Sequence, residues 1–179
     1  MLKKILLVLA ILVVVLVGVV AFQPADFSIT RAAVIPAAPD VVFSHINDMH
    51  KWQDWSPWAK LDPNAKATFE GPAAGVGAKF GWAGNNEVGE GNMTITESKP
   101  AERIVMNLVF TKPFAATNST EFTFKPEGAA TQVTWTMSGK NNFVGKAAGL
   151  VMNCDKMVGG QFEQGFANLK SVIEKAGKN

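Results

Sequence analysis

Cysteine and histidine are scarce in this chain of 179 residues. The single cysteine, Cys154, excludes an internal disulfide and any metal site that needs two cysteine ligands. Nothing beside it would stabilise a thiolate, so we expect a small, buried, apolar side chain there. The two histidines, His45 and His50, do not have the spacing of four that places a metal-binding pair on one helix face. We therefore expect no metal and no cofactor.

Charge of either sign is also sparse, and tyrosine is absent. The formal net charge is +2, and the lysines and arginines are scattered along the chain. A nucleic-acid-binding domain normally gathers basic residues into a patch or stripe. The composition therefore excludes nucleic acid as an expected partner, and the length suits one globular domain plus an appendage.

The appendage is the amino-terminal segment, where residues 5–22 form an unbroken apolar run. A helix needs about 20 apolar residues to cross a bilayer. The run is either a retained membrane anchor or a cleaved signal peptide, whose apolar core is usually about 7 to 15 residues long; its length favours the anchor. We expect an anchor over residues 1–23 and a globular domain over residues 24–179. In both cases Lys3 and Lys4 predict a cytoplasmic amino end, with the domain on the periplasmic or extracellular side, or secreted after cleavage.

Beyond residue 24 the sequence predicts one strand, two short helices and a run of further strands. The alternation from Phe27 through Ile29 predicts a first strand that ends at Pro36. Pro39 is typical of a helix start, and a second short helix follows. Between residues 66 and 139 apolar and polar residues alternate, with turn residues between the runs, which predicts about six strands. Their connections are too short for crossover helices, so we expect an antiparallel meander.

The last segment has the pattern of a long amphipathic helix from Asp155 to Ala176. It contains Gly159, Gly160 and Gly165, each of which costs about 1 kcal/mol relative to alanine inside a helix. Gly165 lies within the apolar stripe and Gly159 at its edge. They would leave space beneath the helix for another backbone or a bound molecule. The alternative is that Gly159 and Gly160 mark a break between two helices.

Three of the five tryptophans lie within seven residues, at Trp52, Trp55 and Trp58. Trp52 and Trp55 share one side of a short helix that Pro57 ends, and we expect Trp58 to point along the connection to the next strand. They either plug the end of the core, each burying about 150 to 250 Å², or line the mouth of a cavity.

Five stretches carry a family resemblance: IPAAPDVVFSHINDMHKWQDWSPW at 35–58, GVGAKFGW at 75–82, VGEGNMTITESKP at 88–100, TQVTW at 131–135 and GQFEQGFANLK at 160–170. Together with the order of elements, they resemble the START-like helix-grip superfamily, also called SRPBCC, in its polyketide cyclase/dehydrase-like branch. The resemblance covers residues 27–176. It is specific for fold and weak for activity.

The resemblance implies an α+β helix-grip fold, in which a curved antiparallel sheet of about seven strands wraps around the long C-terminal helix. An apolar cavity between them would hold a lipid, a polyketide or another hydrophobic small molecule. The expected ligand contacts are large apolar side chains on the inner sheet face, the helix and the tryptophan segment. These are Trp55, Trp58, Phe80, Trp82, Met106, Phe122, Trp135, Met137, Phe162 and Phe166.

We favour a membrane-tethered, non-enzymatic module that binds such a molecule, and we assign no catalytic residue. The alternative is a cyclase or hydratase, for which Glu87, Glu90, Asp54 and His50 are the available acid–base groups. Solvation at a hairpin edge competes with that role for the two glutamates, because a carboxylate needs a buried setting to hold a useful pKa. A third possibility, a filled core that acts through protein contacts, predicts no cavity and a conspicuous exposed apolar patch.

Overall fold

The computed structural model describes residues 1–177, which contain five α-helices and one seven-stranded sheet. In chain order the elements are α1 (Leu2–Phe22), β1 (Asp26–Ile35), α2 (Pro39–Asn47), a 3₁₀ turn (Met49–Lys51), α3 (Trp52–Trp55), a second 3₁₀ turn (Pro57–Lys60), β2 (Lys66–Glu70), β3 (Lys79–Ala83), β4 (Glu90–Lys99), β5 (Arg103–Lys112), β6 (Ala116–Glu127), β7 (Ala130–Lys140), α4 (Phe143–Val151) and α5 (Cys154–Ala176).

The sheet is an antiparallel meander with the order β1-β7-β6-β5-β4-β3-β2. Each strand from β2 to β7 pairs with its neighbour in sequence, and β1 pairs with β7. The predicted α+β helix-grip architecture is confirmed. Glycines lie at bends next to the strands: Gly75, Gly77 and Gly89 have positive φ, and the β4–β5 register shifts between Glu90 and Gly91.

One face of the sheet carries the core. Strand register places Ile29, Met137, Thr120, Met106 and Ile95 in one row across five strands on this face. Helices α2, α3 and α5 pack over it, and we call it the inner face. The residues of α5 that are buried against it are Gly159, Phe162, Gly165, Phe166, Leu169 and Ile173. The predicted amphipathic helix is therefore confirmed.

The two ends of the sheet differ. At one end β1 and β6 finish, and α2 closes the core through the contact of Phe43 with Phe124. At the other end β1 begins, β7 finishes and the β5–β6 connection turns. We call this second end the open end. Helix α1 finishes at Phe22, three residues before β1 begins, so the open end is the part of the sheet nearest to α1.

Helix α1 is long and apolar enough to cross a membrane, with a mean hydropathy of 3.5 over its most apolar window. A signal sequence satisfies the same criterion. Its contact with the domain is at its carboxyl end, where Val20 is buried and the Lys146 ammonium donates to the Ala21 carbonyl at 3.1 Å.

One alternative and one expectation from the sequence are wrong. Helix α5 runs unbroken through Gly159 and Gly160, and the break lies earlier, at Met152–Asn153, where Asn153 caps α5 by accepting from the Lys156 amide. Cys154 is exposed rather than buried. The reason is that the first turn of α5 precedes the part that packs on the sheet, whose first buried residue is Gly159.

Candidate ligand-binding site

The space between the inner face and α5 is filled in its central part by aromatic rings. Trp135 lies in the middle: its ring stacks on Phe162 with centroids 4.0 Å apart and is 4.8 Å from Phe122. Further edge-on contacts come from Trp55 at 5.7 Å and Phe166 at 5.9 Å. Such edge-to-face and offset pairs are the favoured geometries for packed aromatic side chains. The central part of the space between the inner face and α5 is therefore a packed core.

Two of the three clustered tryptophans belong to this core. Trp52 and Trp55 are buried, with ring centroids 4.4 Å apart, and both meet Trp135 edge-on. Trp58 is only partly buried and packs against Trp135 at 6.0 Å and Phe162 at 6.4 Å. It turns back toward the core because Pro57 begins a 3₁₀ turn, whereas the sequence suggested that it follows the connection to β2.

The helix glycines do leave space beneath α5, and the protein's own side chains fill it. A Cβ at Gly165 would lie 2.9 Å from Cζ3 of Trp135 and 3.4 Å from Cδ of Pro57. A Cβ at Gly159 would collide with the guanidinium group of Arg31. The glycines therefore allow α5 to sit directly on an indole ring and on a charged side chain.

Arg31 is the charged group on the inner face. It reaches from β1 to α5, where Nε donates to Glu163 Oε1 at 2.9 Å and Nη2 donates to Asp155 Oδ2 at 2.9 Å. Hydrogen bonding to Asp155 raises the pKa of Arg31, and the same bond lowers the pKa of the Asp155 carboxyl. Because both carboxylates already occupy it, Arg31 serves to hold α5 on β1.

Toward the open end the inner face is only partly covered. Helix α5 makes its main sheet contacts with β1, and α3 fills the centre, so apolar side chains beyond them keep some exposed surface. We call these residues the open-end patch: Phe27, Trp58, Trp82, Leu108, Phe110 and Met137. Trp82 and Phe110 meet edge-on at 5.7 Å. A hydrophobic molecule could contact this patch without displacing the aromatic core.

Few polar groups adjoin the patch. Thr120 lies beside Met137 in the same row of the sheet, and Asn118 lies one row nearer the open end. The indole Nε1 of Trp135 is buried and has no hydrogen-bond partner among residues 1–177. A buried tryptophan N–H normally finds an acceptor. The free N–H is therefore a donor that the oxygen of a bound molecule, or a water, could satisfy.

Two open depressions lie on the outer face of the sheet. One, of about 580 Å³, is rimmed by polar side chains that include Asn107, Ser119 and Ser138. The other, of about 290 Å³, lies over β2, β3 and β4. Neither lies between the sheet and α5. The open-end patch is the partly exposed apolar region of the inner face.

The ten residues expected to contact a ligand divide into two groups. Seven are buried in the packed core: Trp55, Phe80, Met106, Phe122, Trp135, Phe162 and Phe166. Three are partly exposed and belong to the open-end patch: Trp58, Trp82 and Met137. The sequence reading omitted Phe27, Leu108 and Phe110, although the strand alternation places them on the same face as Ile29 and Met106.

Two of the candidate acid–base residues, Glu87 and Glu90, lie at the β3–β4 hairpin beside Trp82 of the patch, and the other two lie in α3 and in the first 3₁₀ turn. Glu90 pairs with Lys112 at 2.8 Å on the outer side of the β4–β5 ladder, and Glu87 is exposed in the β3–β4 hairpin. Asp54 is exposed, and the His50 ring stacks on Phe69 at 4.3 Å. Among the described residues, no group of three His, Cys, Asp or Glu side chains could hold a metal ion.

Comparison with known proteins gives one family and many similar folds. A family model described as "Polyketide cyclase / dehydrase and lipid transport" matches residues 26–174. Protein CV1439 from Chromobacterium violaceum has a TM-score of 0.61 at 16% identity, over 82% of this chain and 96% of that one. A Rhizobium loti protein has a TM-score of 0.59 at 21% identity, over 82% and 99%.

A Thalictrum norcoclaurine synthase point mutant, in complex with a transition-state analogue, has a TM-score of 0.63 at 11% identity, over 86% of this chain and 98% of that one. At these identities the three structures are similar in fold alone. No curated protein matches the chain in sequence.

Proposed function

The chain belongs to the polyketide cyclase/dehydrase and lipid transport family, and from this premise we propose that it is a membrane-tethered module that binds a hydrophobic small molecule or lipid. The family description joins two activities that both handle hydrophobic molecules. The ligand enters at the open-end patch and lies against the inner face of the sheet. The observation that carries the proposal is the partial exposure of these inward-facing aromatic and aliphatic side chains.

The position of α1 supports a ligand that comes from a membrane. Only three residues separate Phe22 from the start of β1, and three residues span at most about 11 Å. If α1 is a retained anchor, the open end therefore faces the bilayer from a short distance. A lipid or lipid-soluble molecule would then pass from the membrane to the patch without crossing much water.

The chemistry of the patch favours an elongated apolar ligand with a single acceptor group. Apolar side chains dominate the surface, and pockets of this kind fix orientation with a few polar groups. The buried N–H of Trp135 and the neighbouring hydroxyl of Thr120 are those groups here. A fatty acid or fatty ester fits this pattern, with its chain over Leu108 and Met137 and an oxygen toward Trp135.

The cyclase or hydratase alternative would need at least two acid–base groups that converge on the ligand. Glu90 is engaged with Lys112, and Glu87, Asp54 and His50 are exposed to solvent. The binding function is therefore the one that the geometry favours.

A photoactivatable diazirine fatty acid tests the proposal on the full chain in lipid nanodiscs. We expect crosslinks on the strand peptides that contain Phe27, Leu108 and Met137. Leu108→Gln should reduce them by about tenfold or more, because one lost leucine contact is worth about 1.5 to 3 kcal/mol. Val109→Gln is the matched control, since Val109 lies on the same strand and faces outward. Crosslinks confined to α1 and α4 in the wild-type protein would refute binding at the patch.

The tether has a separate test. The intact mass of the protein extracted from membranes should correspond to the whole chain, including α1. A mass that lacks the residues before Phe22 or Gln23 would show that the apolar segment is a cleaved signal peptide and would refute the anchor. Binding at the patch would remain to be decided by the crosslinking experiment.

A further inference from the structure

Helix α4 presents an unusually apolar surface. All nine of its residues keep part of their surface open, and its large side chains point outward. The exposed apolar residues of α4 and of the residue after it are Phe143, Val144, Leu150, Val151 and Met152. Val151 is 85% exposed. Contiguous apolar surface of this kind marks an interaction site.

The scarcity of charge around α4 also indicates an interaction site. Between residues 141 and 154 there is one charged side chain, Lys146, and no acidic one. A helix on a water-facing surface normally turns its polar side outward, and α4 does the opposite. It is nevertheless a formed helix, since the Asn142 side chain accepts a hydrogen bond from the Gly145 amide at 2.9 Å.

The apolar surface of α4 is continuous with the carboxyl end of α1. The two helices are in contact, and Lys146 Nζ donates to the carbonyl oxygen of Ala21 at 3.1 Å. Carbonyls in the last turn of a helix lack intrahelical partners, and they need one wherever water is excluded. Phe22 stands beside this contact and is 93% exposed. The apolar surface of α4 is therefore adjacent to the carboxyl end of α1.

We propose that α4 lies in the lipid–water interface of the membrane that α1 enters, as a second lipid contact beside the anchor; this rests on the tether proposed above. An interfacial helix lies in the membrane plane with its apolar side chains about 5 to 10 Å deep. The apolar residues of α4, the nearby Phe22 and the absence of acidic side chains fit that position. Because α4 leads directly into α5, the contact also holds the open end against the bilayer.

Spin labels test this on the full chain in vesicles of phosphatidylethanolamine and phosphatidylglycerol. In a Cys154→Ser background, single cysteines replace Val151 in α4, Val13 in α1 and Val76 before β3. Val76 is the matched control, because it is also an exposed valine (61%) but lies at the opposite end of the domain. Collision rates with oxygen and with a water-soluble nickel complex then report the depth of each label.

We expect the oxygen-to-nickel ratio at position 151 to be severalfold above that at position 76, and the ratio at position 13 to be higher still. If position 13 is in lipid and position 151 is as aqueous as position 76, the interfacial helix is refuted and the tether stands. If positions 13 and 151 are both aqueous, the tether itself is refuted. If position 151 is shielded from both reagents and shows spin–spin broadening, a second copy of the chain covers α4, and the proposal is overturned.

Discussion

Substitutions at Gly165 and Gly160 of α5 measure how tightly this helix packs on the inner face of the sheet. Gly165→Ala puts a methyl group 2.9 Å from the Trp135 ring, which is itself stacked on Phe162 at 4.0 Å. Gly160→Ala puts the same methyl group where nothing lies within 4 Å. Both changes gain about 1 kcal/mol of helix propensity, so this contribution cancels when the two variants are compared.

The difference between the variants is therefore the cost of overpacking. An extra methyl group in a packed core costs about 1 to 3 kcal/mol. We expect Gly160→Ala to be more stable than the wild type by about 1 kcal/mol and Gly165→Ala to be less stable than Gly160→Ala by about 1 to 3 kcal/mol. In a domain of this size that difference lowers Tm by about 2 to 12 °C.

Thermal unfolding of the full chain in detergent, followed by near-UV circular dichroism, provides the comparison, because the signal comes from the packed tryptophans. Equal stabilisation by both substitutions would show that the space beneath Gly165 is empty. In that case Trp135 does not pack against α5, and a cavity lies between the sheet and this helix.

Three further predictions concern single polar contacts. Thr131→Val should cost about 1 to 2 kcal/mol in urea unfolding, because the buried Thr131 hydroxyl donates to the Ala37 carbonyl at 2.7 Å; an unchanged midpoint would contradict this. Burial lowers the pKa of His45, so the unfolded chain binds its proton more readily. As the pH is lowered from about 6.5 toward the depressed pKa of the folded state, the free energy of unfolding should decrease. His45→Asn should weaken this dependence of Tm on pH. Arg31→Met removes the bond that lowers the pKa of Asp155, so an NMR titration should show that pKa rising; no change would mean that the pair does not form in solution.

The sequence predicted the elements that have a clear period. In β7 the alternation of Val133, Trp135 and Met137 with threonines correctly placed all three on one face. The apolar stripe of the last segment correctly predicted α5. Both predictions succeed because side-chain direction along a strand or helix is a local property, fixed by a period of 2 or 3.6 residues.

The burial of a side chain depends on which distant elements cover it, so the sequence could not predict which inward-facing residues are buried. Met106 and Met137 have the same pattern and lie in one row of the inner face, yet Met106 is buried and Met137 is partly exposed. The difference arises from which strands α5 covers. Helix α4 went unpredicted for another reason: Gly145 and Gly149 lower its helix propensity, although Phe143, Val144, Leu150 and Val151 share one side of the helix.

A ligand could reach the free N–H of Trp135 by two routes, and the structure distinguishes their costs. Lifting α5 would break the hydrogen bonds from Arg31 to Asp155 and Glu163 and would separate the stacked rings of Trp135 and Phe162. Entry over Met137 from the open end leaves both sets of contacts in place, but a packed side chain must still shift, because the Trp135 N–H is buried. The second route therefore costs less. In the proposed membrane arrangement it also begins at the end of the sheet nearest to the bilayer.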